Sequence, residues 1–208
     1  YGKGLGSLMA TKKTSLNFGN SGTLARLLIG ILTSTPNIKI KMQGDHSLNK
    51  RSMEKLIKCM SEFGAKFIPK KKYKFPLTMI SSDMPVAIEY KAGVSAQLKS
   101  AVILSALNSF GNTKIYEEEL SRDHTENILM RSPTTINIKK INKKRIIKIF
   151  GKKYLNPLKL KVPGDPSSAA FFTALTLLNK NSNLIIKDVC LNPKRIGFYK
   201  ILKAHGAK

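Results

Sequence analysis

The sequence lacks the features that mark several classes of protein. It has only two cysteines, Cys59 and Cys190, with no CxxC motif or Cys/His spacing, so neither a disulfide framework nor a zinc site is expected. No run of about 18 apolar residues could form a membrane span, and the first residues show no signal-peptide pattern. We therefore expect a cytoplasmic protein with free thiols, no metal, no cofactor and no membrane partner.

Acidic residues are also scarce, with 12 against 37 basic ones and a net charge of +25. Such a charge is typical of nucleic-acid-binding proteins. The lysines, however, are spread along the chain, as at 70–72, 139–140 and 152–153, without interleaved aromatic residues for base stacking. We interpret them as a solvated surface and expect no nucleic-acid partner. Arginine occurs only six times, and its planar group suits carboxylate or phosphate.

A repeat of about 72 residues organises the 208-residue chain. Three segments align on a serine: SGTLARLLIGIL from Ser21, SAQLKSAVILSAL from Ser95 and SSAAFFTALTLL from Ser167. Each precedes a short β-type run (IKIKM, TKIYE and LIIKD) and then an arginine, at 51, 122 and 195. Four features in register make the repeat the best supported inference from the sequence.

Each copy predicts the same local structure. The serine caps a first helix that is apolar on all sides, so we expect that helix to be buried all round, at 24–32, 101–107 and 169–178. A second helix carries one apolar stripe and lies at the surface, as with Met53, Leu56, Ile57, Met60 and Phe63. Further strands are expected near 66–68, 77–81, 86–90, 135–138, 145–150 and 158–162. The fold class is α/β with mixed sheets.

The stretch GNSGT, residues 19–23, opens the first of these helices. A helix N-terminus offers unpaired N–H groups and partial positive charge, and glycines let a ligand approach the backbone. The spacing is neither that of a P-loop nor that of a dinucleotide fingerprint. By itself the stretch could be an ordinary cap and turn; three such helix starts, each followed by an arginine, favour an anionic ligand.

Five blocks resemble the 3-phosphoshikimate 1-carboxyvinyltransferase (EPSP synthase) family: GNSGTLARLL, GDHSLNKRSM, GVSAQLKSAVILSAL, SRDHTENIL and VPGDPSSAAFF. They occur in the family's order across nearly the whole chain. The resemblance implies an inside-out α/β barrel fold of two domains, each built from three βαβαββ units with buried first helices. It assigns 1–162 to one domain and 163–208 to the start of the second. It also implies a monomer, and an internal fragment truncated at both ends.

The implied reaction transfers the enolpyruvyl group of phosphoenolpyruvate to the 5-hydroxyl of shikimate 3-phosphate, with release of phosphate. Residue by residue, the resemblance places phosphoenolpyruvate at Asn20, Gly22, Thr23, Arg51 and Gln97, with Gln97 between both ligands. It places shikimate 3-phosphate at Ser95, Ala96, Gln97, Ser121 and Arg122. The family's proton-transfer residues have no match in the chain, so no catalytic residue is assigned, and we expect the 208 residues alone to be inactive and poorly folded.

Other polar residues have simpler interpretations. Asp123 and Glu126 have capping-box spacing, although with His124 they could form an acid/base cluster. His46 is expected in a loop, and Asp165 in a cap or turn before Pro166. The resemblance assigns no ligand to Arg195. Arg26 either supports the GNSGT stretch or makes a structural salt bridge.

Two alternative functions remain open on the sequence. The chain could be a UDP-N-acetylglucosamine carboxyvinyltransferase, which shares phosphoenolpyruvate but would be expected to carry a reactive loop cysteine. Cys59 falls within an amphipathic helix and Cys190 at a strand end, so neither fits. The other alternative, from a different class, is a basic nucleic-acid-binding module.

Overall fold

The computed structural model describes residues 2–11, 14–142 and 144–207. Residues 1–156 and 157–208 form two compact units, called here the first and second unit. The boundary predicted from the sequence, after residue 162, lies six residues further along the chain. Whether these units correspond to the two domains of the resemblance stays a prediction.

The first repeat copy forms one four-stranded sheet and its helices. In chain order the elements are β1 (Ser15–Asn17), α1 (Gly22–Thr33), β2 (Lys39–Gln43), α2 (His46–Lys50), α3 (Glu54–Glu62), β3 (Lys66–Ile68) and β4 (Leu77–Ile80). The strands lie in the order β1-β2-β4-β3, with β1 parallel to β2 and the other pairs antiparallel. Alternate residues of β2 are buried, as expected for a sheet covered on one face.

The second copy repeats this topology. Its elements are β5 (Glu89–Ala92), α4 (Ala96–Leu107), β6 (Asn112–Glu117), α5 (His124–Leu129), β7 (Ile136–Ile141) and β8 (Lys144–Phe150). The strand order β5-β6-β8-β7 matches the first sheet position by position, again with one parallel pair. The mixed α/β fold and the βαβαββ repeat predicted from the sequence are therefore confirmed in the first unit.

Helices α1 and α4 pack against each other at the centre of the first unit. Gly30 permits their close approach, because a Cβ atom there would lie 2.6 Å from the carbonyl oxygen of Ala101. Together with α3 and both sheets they form one continuous hydrophobic core. The prediction of all-round burial holds for α4, whereas α1 leaves Leu24 49% exposed at its N-terminal end.

The second unit contains α6 (Pro166–Leu178) and α7 (Gly197–Ala204). Here the prediction of burial is wrong, since α6 buries only Pro166 and Ala169. The strands expected at 158–162 and in LIIKD are also absent from the described part of this unit, where one parallel bridge joins Gly164 to Val189. A strand needs a neighbour to pair its backbone groups, and no described sheet of the second unit supplies one.

Candidate functional site

The N-terminus of α1 lies at the protein surface, apart from the buried Gly22. Ser21 caps it, with its Oγ accepting a hydrogen bond from the backbone N–H of Leu24 at 3.1 Å. Gly19 precedes the cap with a φ of 54°, a left-handed conformation that glycine adopts without strain. Asn20 and Thr23 are exposed beside it. The predicted cap is confirmed. The N–H of Gly22 donates to the carbonyl oxygen of Asn20 at 3.1 Å, and the positive end of the helix dipole favours an anion at this terminus.

Two arginines flank Gly22. A Cβ atom at this glycine would lie 2.9 Å from Nη1 of Arg26 and 3.5 Å from Nη1 of Arg51. Arg26 donates to the carbonyl oxygen of Gly22 at 3.1 Å, and Nη2 of Arg51 donates to Oδ1 of Asn20 at 2.9 Å. Burial and the positive charge of Arg51 lower the pKa of Arg26. Within the described chain neither arginine has a carboxylate in ion-pair range, so the salt bridge considered for Arg26 is not formed.

The N-terminus of α4 faces the same site through Gln97. The side-chain amide of Gln97 donates to Oγ1 of Thr23 at 2.6 Å, and its Oε1 accepts from Nη1 of Arg26 at 2.8 Å. These two hydrogen bonds join residues that are 71 and 74 positions apart in the chain. The starts of α1 and α4 therefore form one polar surface. We call the surface of Asn20, Gly22, Thr23, Arg26, Arg51 and Gln97 the arginine site.

Ser95 begins α4 as predicted, with its Oγ accepting from the N–H of Leu98 at 3.3 Å. A hydroxyl that accepts in this way still has its own hydrogen to donate. Ala96 follows, partly exposed, on the first turn. Ser95 and Ala96 therefore offer a hydroxyl and helix N–H groups next to Gln97.

Ser121 and Arg122 lie in the segment between β6 and α5. Ser121 is 9% exposed and donates both its backbone N–H and its hydroxyl to Oε1 of Glu117, at 2.8 and 2.9 Å. Arg122 follows it, partly exposed. The hydrogen bonds that join α1 to Gln97 do not reach Arg122 in the described residues, so this half of the predicted site is held by a separate set of contacts.

That set is a buried ion cluster, which sequence reasoning missed. Nζ of Lys99 lies 2.8 Å from Oε1 of Glu117 and 2.6 Å from Oε1 of Glu126, and all three side chains are inaccessible to solvent. Nε of Arg145 donates to Oε2 of Glu117 at 2.8 Å. Burial alone would raise the pKa of Glu117, but hydrogen bonds from Lys99, the Ser121 backbone and Arg145 lower it to about 2.

The capping-box interpretation of residues 123–126 is accordingly wrong. The side chain of Asp123 makes no capping hydrogen bond, and Glu126 pairs with Lys99 in the interior. The sequence feature that could have revealed the ion cluster is Lys99, a lysine inside the apolar run SAQLKSAVILSAL. A buried ammonium group requires carboxylate partners.

The remaining candidates have local structural contacts. His46 is the first residue of α2 and not a loop residue. Asp165 caps α6, as predicted, by accepting from the N–H of Ser167 at 3.2 Å, so the helix begins at Pro166 and not at the serine. Arg195 donates to Asp165 and, at 2.8 Å, to Oγ of Ser167, a third-copy parallel to the pair of Arg51 and Asn20.

Both cysteines are free, as predicted. In the described part of the chain no cluster of three or more His, Cys, Asp or Glu side chains could hold a metal ion. No described helix is both long enough and apolar enough to cross a membrane.

Repeated βαβαββ units and a cationic surface at two helix N-termini define an α/β protein with a candidate anion site. Residues 1–208 match the family described as EPSP synthase (3-phosphoshikimate 1-carboxyvinyltransferase). The chain belongs to this family.

Similar proteins agree with this assignment. The 3-phosphoshikimate 1-carboxyvinyltransferase of Zymomonas mobilis is 40% identical over 209 residues, covering 100% of this chain and 46% of the relative. That of Novosphingobium aromaticivorans is 39% identical, with 99% and 47% covered. The solved EPSP synthase of Acinetobacter baumannii has a TM-score of 0.77 at 34% identity, covering 95% of this chain and 44% of that one. The chain spans about half the length of the curated relatives it matches.

Proposed function

We propose that the chain contributes the substrate-binding part of an enolpyruvyl transferase. In this reaction the 5-hydroxyl group of shikimate 3-phosphate loses its proton as its oxygen bonds to C2 of phosphoenolpyruvate, and C3 gains a proton. The tetrahedral intermediate then loses phosphate and a proton, which restores the double bond. The names of the relatives support this reaction, and the arginine site is the observation that carries it.

The arginine site suits phosphoenolpyruvate because its two guanidinium groups both lie close to Gly22 at the start of α1. Arg51 and Arg26 supply charge-assisted donors for a phosphate or carboxylate group, and the missing side chain of Gly22 lets both guanidinium groups lie against the start of α1. Asn20 holds Arg51, while Thr23 and Arg26 orient Gln97. Because these hydrogen-bond donors are already held in position, they can stabilise the negative charge of a substrate with little rearrangement of the protein.

Shikimate 3-phosphate is assigned to the neighbouring start of α4. Ser95 caps that helix, Ala96 and Gln97 lie on its first turn, and Ser121 and Arg122 complete the site from the segment after β6. Both substrates carry several negative charges and repel each other. The cations and helix N-termini on the described chain offset that repulsion and hold the substrates close together.

We further infer that residues 1–162 belong to one domain and that 163–208 begin a second one in a cytoplasmic monomer. The division into two compact units near this position supports the domain assignment. The groups that transfer protons are assigned to parts of the enzyme without a match in this chain, so the 208 residues alone are expected to show no turnover.

The alternative enolpyruvyl transferase, which acts on a UDP-sugar, is not favoured. Its family would be expected to show a reactive loop cysteine. Cys59 is instead buried in α3, where burial raises its pKa to about 12, and a thiol of that pKa is a poor nucleophile at neutral pH.

The test uses a chimaera in which residues 1–208 replace the matching 46% of the Zymomonas mobilis relative. Arg51→Lys keeps the charge but loses the planar fork, so the KM for phosphoenolpyruvate should rise about tenfold or more, with the KM for shikimate 3-phosphate within about twofold. Arg131→Lys, at an exposed position, is the matched control and should change neither.

Equal losses for both substrates would contradict the assignment of Arg51. A folded chimaera with no turnover, compared with the active parent enzyme, would contradict the proposed function. If that chimaera bound nucleic acid with an affinity that falls steeply with salt and ignored shikimate 3-phosphate, the basic charge would be the functional feature instead.

A further inference from the structure

We propose that Glu117 is a positioning residue for the shikimate 3-phosphate site, an inference that rests on the proposed function. Glu117 anchors the segment 118–123, which carries Ser121 and Arg122, to α4, which Ser95 caps and whose first turn carries Ala96 and Gln97. The buried ion cluster would then hold the two halves of one ligand site in register, in addition to stabilising the fold.

The anchor acts directly on Ser121. Glu117 is the last residue of β6, and its Oε1 accepts both the backbone N–H and the hydroxyl of Ser121, at 2.8 and 2.9 Å. The first bond fixes the path of the main chain four residues beyond the strand. The second fixes the orientation of the serine side chain. The side chain of Arg122, the next residue, therefore starts from a backbone position that depends on Glu117.

The same carboxylate is tied to α4 through Lys99. The backbone N–H of Lys99 donates to the carbonyl oxygen of Ser95 at 3.1 Å, so the lysine lies one turn into the helix that Ser95 caps. Its ammonium group donates to Oε1 of Glu117 at 2.8 Å. A continuous path of one helical turn and two hydrogen-bonded contacts thus runs from Ser95 to Ser121.

Arg145 holds the other side of the carboxylate. Its guanidinium group, on β8, donates to Oε2 of Glu117, with Nε at 2.8 Å. Because Lys99 and Ser121 occupy Oε1 and Arg145 occupies Oε2, the carboxylate cannot rotate without losing a charge-assisted bond. An anchor of this kind is rigid enough to place a ligand-binding segment.

The far end of the segment is attached to α4 as well. On α5, Oε1 of Glu126 lies 2.6 Å from Nζ of Lys99, and Oγ1 of Thr125 lies 2.7 Å from Oγ of Ser100. The segment is therefore held before and after Arg122 by two successive residues of α4, Lys99 and Ser100. A displacement of Glu117 would release the first attachment and leave the second.

The variant Glu117→Asp in the chimaera separates position from charge, since aspartate keeps the negative charge but is one methylene shorter and cannot reach Ser121 from the same backbone. We expect the KM for shikimate 3-phosphate to rise about tenfold and the KM for phosphoenolpyruvate to stay within about twofold. Amide exchange in a peptide covering 118–123 should become faster. The matched control is Glu89→Asp, the same shortening at an exposed residue paired with Lys114 at 2.8 Å outside this segment, which should change none of the three.

A double-mutant cycle with Ser121→Ala then tests whether Glu117 acts through this serine. Non-additive effects on the KM for shikimate 3-phosphate are expected, because the second variant removes a contact that the first has already lost. Additive effects would overturn the proposal. If Glu117→Asp does not fold, Ser121→Ala alone decides, since it keeps every buried charge. Faster exchange at 118–123 supports the anchor, and unchanged exchange overturns it, because loss of a substrate contact alone would raise the KM without loosening the segment.

Two failures can be told apart. A chimaera with the natural residues that is folded and shows no activity toward shikimate 3-phosphate contradicts the proposed function. An active chimaera in which Glu117→Asp raises both KM values equally, or neither, overturns only the positioning role of Glu117.

Discussion

Helices α4 and α6 have similar sequences and opposite environments. Both follow a capping side chain and are apolar on all sides, and both occupy the first-helix position of a repeat copy. Nine residues of α4 are buried, whereas α6 leaves Phe171 and Phe172 80% and 61% exposed. A continuous apolar pattern therefore predicts that a helix can be buried, but neighbouring elements determine whether it is.

The neighbours differ in kind. In the first unit, α4 packs on α1 and on the sheet of β5, β6, β7 and β8, so its apolar atoms leave water on every side. In the second unit the described residues form two helices and a single parallel bridge between Gly164 and Val189, without a sheet to cover α6. Equivalent substitutions in the two units test this contrast.

The largest difference is expected between two lysines in ion pairs. Lys99→Met removes one of the two cations that pair with the buried Glu117 and Glu126, the other being Arg145, and should cost about 3–5 kcal/mol of unfolding free energy. Lys161→Met removes an exposed pair with Asp188, whose side chains are 80% and 66% accessible, and should cost less than about 1 kcal/mol. Urea unfolding of the chimaera, followed by circular dichroism, measures both. Similar losses of unfolding free energy for the two variants would contradict the expected difference between a buried ion pair in the first unit and an exposed one in the second.

A pair of core substitutions should give the next largest effect. Ile103 and Leu175 both lie eight residues after the aligned serine of their copies, with exposures of 0% and 59%. Ile103→Ala should cost about 2–5 kcal/mol because it leaves a cavity, and Leu175→Ala less than about 0.5 kcal/mol. The same urea titration applies. If Leu175→Ala costs as much in the chimaera as Ile103→Ala, residues outside this chain cover α6.

The two thiols extend the comparison to kinetics. Burial in α3 raises the pKa of Cys59 to about 12, whereas Cys190 in the second unit is partly exposed. Alkylation by iodoacetamide at pH 8 should modify Cys190 at least about 100-fold faster, since only an accessible thiolate reacts. Mass spectrometry of peptides sampled over time gives both rates. Equal rates in the native protein, matching those in urea, would mean that the first unit opens as readily as the second.

The smallest difference is expected at the helix caps. Ser21→Ala removes the acceptor for the N–H of Leu24 on a helix that belongs to the core and should cost about 1 kcal/mol. Asp165→Ala removes the corresponding acceptor on α6, which contributes little burial, together with a partly exposed ion pair to Arg195, and should cost less than about 1 kcal/mol. Thermal unfolding curves of the two variants give the comparison, with the conservative Ser21→Thr as the control that retains the cap.

Local features of the fold were predictable from the sequence because they depend on neighbouring residues. The caps at Ser21 and Ser95, the strands in IKIKM and TKIYE and the apolar stripe of α3 are all present in the structure. The expected strands at 158–162 and in LIIKD are not present, because strand propensity is satisfied only when a partner strand is available.

The candidate site was predictable to a similar degree. Its glycine, its helix starts and its scarce arginines follow from residue types and spacing, and the assignment of individual ligands came from the family resemblance. The role of Glu126 was misread because capping-box spacing is a local pattern, whereas the position of its side chain depends on Lys99, 27 residues earlier.

The sequence by itself determined the repeat, the helix N-termini that can bind anions and the family to which the chain belongs, since these depend on the order of residues within short segments. Only the tertiary structure decided that Gln97 bonds Thr23 and Arg26, and that Lys99 and Arg145 share Glu117. Those contacts join elements distant in the chain. Their geometry follows from how the helices and sheets pack, which local propensity does not encode.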